Sequence, residues 1–160
     1  MEPHRLVVGA LGWDHAAWQG GFYPDDLPED WRLGYYANEF SGVLLPESIW
    51  RQLNAAVCRA WCDDVGELFR FYLQTAVEGT TTGLPAQLQQ AFGRHWGGCC
   101  SDSVLLLGDD MPWDLRQLRA RIEQLLAAPE VEVAPPALFI CGDPPDLARM
   151  RQARLLADML

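Results

Sequence analysis

Short apolar runs alternate along this chain with longer stretches of helical periodicity, and no other feature of it limits the fold as much. The apolar runs are residues 6–11, 42–45, 68–73, 104–107 and 137–141. Between and after them lie helical segments at about 28–38, 47–63, 85–96, 113–127 and 146–160. Runs that are short and apolar throughout suit strands buried on both faces, and a helix after each strand is the connection that parallel pairing needs. An α/β fold follows: about five βα units on a parallel sheet, each crossover right-handed. In the second helix Ile49, Leu53, Val57 and Trp61 recur every four residues and make one apolar stripe. Pro28 and Pro85 suit first-turn positions, where no backbone N–H is needed. No repeat or linker divides the 160 residues, so residues 1–160 are expected to form a single domain.

Charge narrows the partners. All twelve basic residues are arginine, set against 22 acids, for a net charge of −10. Such a field repels phosphate backbones and anionic lipid, so neither nucleic acid nor membrane is expected as a direct partner. Basic proteins, cations and neutral small molecules remain. No apolar run approaches the roughly 18 residues of a membrane span, and the first residues lack a cleavage site, which makes the cytoplasm the expected compartment.

Five cysteines are an odd number for a disulfide framework. Cys58 and Cys62 would share a helix face, and His95 would lie one helical turn before Cys99 and Cys100. A zinc site from these is conceivable, but no CxxC pair occurs, and they read as core or loop thiols; no cofactor is expected. A chain without lysine excludes Schiff-base chemistry, and no GxSxG, HExxH or P-loop motif is present. Acids do follow the predicted strands: Asp14, Glu47, Asp109, Asp110 and Asp143. They could hold a divalent ion for a metal-assisted hydrolase, although their spacing matches no ligand motif and aspartate favours turns anyway.

The stretch GALGWDHAAWQGGFYP, residues 9–24, is the most distinctive in the chain. With Tyr35-Tyr36-Ala37-Asn38-Glu39-Phe40, Val43 to Arg51, and Trp61 followed by Phe69 to Gln74, it resembles the YecE-like family, domain of unknown function 72. The resemblance implies a TIM-barrel-like fold. It also implies losses, because positions that are polar in the family are here Ala10, Leu11, Leu44, Pro46, Gln74, Phe139 and Cys141, with Arg51 the polar residue retained. Five units are too few for an eight-unit closure, so a divergent, truncated and incomplete barrel is expected.

An open parallel sheet needs its edges covered. The last helix has an apolar face at Leu147, Met150, Ala153, Leu156 and Leu160, and a homodimer is the favoured cover. The expected function is that of a non-catalytic interaction or regulatory protein, with the hydrolase above as one alternative. The other is a small-molecule binding module walled by Gly12, Trp13, Trp18, Phe22, Tyr23 and Trp50, with Arg51 as anion clamp. Against that module stands the habit of such aromatics to fill cores.

Overall fold

Six short strands pair side by side, all parallel: β1 (Val7–Leu11), β2 (Gly42–Leu45), β3 (Arg70–Leu73), β4 (Trp96–Cys99), β5 (Val104–Leu107) and β6 (Ala137–Ile140). They belong to a computed structural model that describes residues 6–74, 84–99, 104–108, 110–127 and 136–160. Around them run α1 (Arg32–Ala37), α2 (Glu47–Trp50), α3 (Ala55–Asp63), α4 (Leu84–Phe92), α5 (Leu115–Ala127) and α6 (Leu147–Met159). The strand order is β4-β3-β2-β1-β6-β5. That is the cyclic order of a barrel, opened between β4 and β5, so the fold is α/β and TIM-barrel-like, an incomplete barrel.

Three observations show how strongly the sheet curls. Cα atoms of β2 and β6, which flank β1, approach within 8 Å, whereas two strand spacings in a flat sheet measure about 9.6 Å. The rings of Tyr72 on β3 and Phe139 on β6 meet edge to face at 5.2 Å, although two strands lie between theirs. Finally, only residues 100–103 separate the end of β4 from the start of β5. Five residue steps reach about 18 Å at most, less than the roughly 24 Å width of six flat strands.

Alternation along the strands divides the core in two. Val7, Leu44, Tyr72, Ala137 and Phe139 fill the hollow of the curl, with Leu11 and Val104 against them. Val8, Ala10, Val43, Leu45, Phe71, Leu73, Leu138 and Ile140 face outward into the larger core beneath the helices. The predicted apolar face of α6 belongs to that outer core: Met150 and Ala153 are buried, and Leu147, Leu156 and Leu160 are partly so. The helix lies on β1 and β6 of its own chain. No described helix is long and apolar enough to cross a membrane.

Two expectations need correction. The sheet has six strands rather than five, because the predicted third helix stops at Phe92. Gly93, at φ 57°, turns the chain out of the helix, and Trp96-Gly97-Gly98-Cys99 becomes β4. Gly97 is the residue that keeps β4 close to β3, since a Cβ there would run into the Tyr72 ring. Cys99 is therefore on a strand, not one helical turn after His95; the buried His95 ring bonds the Phe69 carbonyl through Nδ1 at 2.8 Å. The second helix is also two helices. Asn54 leaves helical geometry and its side chain accepts from the Val57 N–H at 3.0 Å, capping α3 afresh. The stripe breaks with it, leaving Ile49 and Val57 exposed while Trp50 and Cys58 are buried instead.

Candidate functional site

In parallel α/β sheets, sites gather at the carboxyl ends of the strands. Here that end carries the loop from Gly12 to Leu27, which follows β1. Gly12, at φ 76°, reverses the chain, and its N–H continues the ladder to the Leu44 carbonyl at 2.8 Å. The loop then folds its aromatics inward. Trp13 meets Trp61 edge to face at 4.7 Å, and Trp18 packs against His15, Phe22 and Tyr23. Trp13, Trp18, Phe22 and Tyr23 are all buried in the outer core. Tyr23 donates its hydroxyl to the Trp13 carbonyl at 2.5 Å. Burial first, then the nearby Asp14 charge, push its phenol well above the ordinary range, with Arg32 pulling the other way.

A polar knot locks this loop. Arg32, on α1, is 7% exposed. It donates to Asp14 Oδ1 at 2.5 Å and to Gln19 Oε1 at 3.0 Å, and its guanidinium lies 5.7 Å from the Tyr23 ring. Gln19 in turn donates to the carbonyls of Pro24, Asp25 and Leu27. The Asp14 bond is the main reason that the Arg32 proton is held more tightly than usual. The arginine also leaves its Nε without a partner. A buried guanidinium of this kind is costly unless paired, and here two of its three nitrogens are.

Trp50 and Arg51 stand apart from that knot. The Trp50 indole is buried and donates to the Gln74 carbonyl at 2.7 Å. Arg51 is exposed, bonds Glu47 Oε1 through Nε at 2.6 Å, and lies over the Trp50 ring at 5.1 Å. Of the strand-end acids, Asp14 and Glu47 are thus each engaged by an arginine, Asp110 and Asp143 are exposed, and Asp109 lies outside the described residues. Among the described residues no group of three or more His, Cys, Asp or Glu could hold a metal ion. Leu44 and Phe139 lie in the hollow with no exposure, whereas Ala10 faces the helices.

Sequence reasoning missed Arg32 and gave Gln19 and Tyr36 no role beyond the family resemblance. The Tyr36 hydroxyl accepts from the Ala10 N–H and donates to the Gly42 carbonyl, both at 2.8 Å, so one side chain joins β1 to β2. The room for it comes from Gly9, whose Cβ would strike both the hydroxyl and the Gly42 carbonyl. A signal was available in the glycines at equivalent places on neighbouring strands, Gly9 beside Gly42.

A family model described as protein of unknown function DUF72 matches residues 7–128. Among solved structures, the chain is similar to a DUF72 family protein from Thermotoga maritima at 14% identity and a TM-score of 0.45. That match covers 87% of this chain and 55% of the other, so this chain spans little more than half the length of its structural relative. Among curated proteins none matches the chain.

Proposed function

The chain belongs to the DUF72 family of proteins of unknown function, and we propose that this member is a non-catalytic scaffold acting through contact with other protein. One observation carries the reading: in the carboxyl-terminal halves of β2, β3 and β6, toward the end where a barrel gathers its catalytic groups, the inward positions are Leu44, Tyr72 and Phe139. A carboxylate or imidazole cannot act from a position that leucine occupies. Among the described residues β4 and β5 are the two edges of the sheet. Leu106, on β5, belongs by alternation to the hollow-facing side with Val104, yet it is 36% exposed. An edge strand with an apolar side chain beside it is a template for another chain.

The favoured occupant is a second copy, paired through these edges in a symmetric homodimer. Because each copy carries −10, their repulsion weakens the dimer at low salt, and added salt tightens it. Sedimentation velocity over the micromolar range tests this. The wild-type chain is expected to dimerise and Leu106→Arg to remain monomeric; a wild-type monomer throughout would sink the reading.

A further inference from the structure

Seven tryptophans all fall among the described residues, and six of them are buried or partly buried. Trp31 is the exception, with 65% of its surface exposed. It borders a groove between α1 and the end of α3 that is lined by Leu27, Asp30, Trp31, Gly34, Tyr35 and Asp64, among others. Tyr35 is also exposed, and Gly34 adds no side chain to the lining.

Three features of this groove favour the same kind of guest. Aromatic faces attract cations, and guanidinium most of all, because its plane can stack. Asp30 and Asp64 set two exposed carboxylates beside those faces, and neither is in an ion pair among the described residues. Asp64 also caps the carboxyl end of α3, where the helix carbonyls add negative potential. The nearest arginine in sequence, Arg32, bonds Asp14 and Gln19 instead, and no cation stands among the described residues that line the groove.

We propose that the groove formed by Asp30, Trp31, Tyr35 and Asp64 is a docking site for an arginine side chain on a basic segment of a protein partner. The inference rests on the reading of the chain as a protein-binding scaffold, but it uses a surface separate from the sheet edges. Stacking on Trp31 holds the guanidinium plane, and the two carboxylates accept its N–H donors.

Hexa-arginine and hexa-lysine peptides, titrated calorimetrically at low salt, test the site. The arginine peptide is expected to bind more tightly than the lysine peptide. Trp31→Ala and Asp64→Asn should each weaken it by about three- to fivefold, as exposed cation–π and ion-pair contacts do. Asp158→Asn, on the exposed side of α6, removes the same charge elsewhere and should leave affinity unchanged. Equal loss in all three variants, equal affinity for the two peptides, or no binding to the wild type would overturn the proposal. Circular dichroism of each variant separates a lost site from a lost fold. Salt separates the two readings, since it weakens peptide binding but tightens the dimer. A dimer that ignores the peptide removes the groove alone, and a monomer that binds it removes the dimer alone.

Discussion

The Tyr36 hydroxyl is the residue on which the join between β1 and β2 turns. It is fully buried, and burial drives its phenol far above the ordinary range, so it stays protonated and able to donate. Tyr36→Phe would strand the Ala10 N–H and the Gly42 carbonyl in the core. The expected loss is about 1–3 kcal/mol of unfolding free energy, read from urea melts. Cys58 gives a pH signature at the same scale. Burial, more than the neighbouring Cys62, pushes its thiol from 9.0 up to about 11. An unfolded chain releases that proton near pH 9 while the folded chain keeps it. The contribution of the thiol is therefore fully present below pH 9 and is lost as the pH climbs toward 11, and the raised phenols of Tyr23 and Tyr36 add to the loss above pH 10. Comparing urea midpoints across this window, Cys58→Val should show a shallower decline than the wild type. Arg32 shows why single residues are hard to read from sequence. Its partners lie 18 and 13 positions away, and only the folded loop brings them within reach.

Among the elements, those with a continuous apolar signal were legible and those without one were not. Ala137–Ile140 and Gly42–Leu45 could be read because a strand buried on both faces has no polar side to show. β4 could not, because Gly97 and Gly98 lack side chains and Gly97 serves by leaving space for Tyr72. The join between α2 and α3 was hidden by an accidental periodicity, which the Asn54 side chain overrode by capping the second helix. Asn54→Ala should lower stability by about 1 kcal/mol through the lost cap, measurable as a fall in thermal midpoint. Of the candidate site, the sequence made the aromatics of the loop after β1 visible but not their direction. Burial of Trp13, Trp18 and Tyr23 depends on where α1 and α3 come to lie, and Trp31, which stays outside, carries no distinguishing spacing.

At the scale of the whole molecule, one ladder joins the early and late parts of the chain. β1 pairs with β6 along four positions, from Val7 beside Ala137 to Ala10 beside Ile140. A surface clamp adds to it: Glu39 accepts from Arg151 at 2.8 Å, and the Glu39 carbonyl accepts from Arg154 at 3.2 Å. Strands β4 and β5, by contrast, are consecutive in sequence but stand at opposite edges of the sheet. Those two strands therefore do not pair with each other, and the described residues on either side of 100–103 meet through non-covalent contacts such as the β1–β6 ladder. A protease site placed within residues 100–103 and cut after folding should leave one particle in gel filtration, melting in a single transition, whereas the pieces made separately should need each other to fold. The opening in the barrel is thus also a natural seam, where the chain could be divided or its ends relocated without cutting through any rung of the sheet among the described residues.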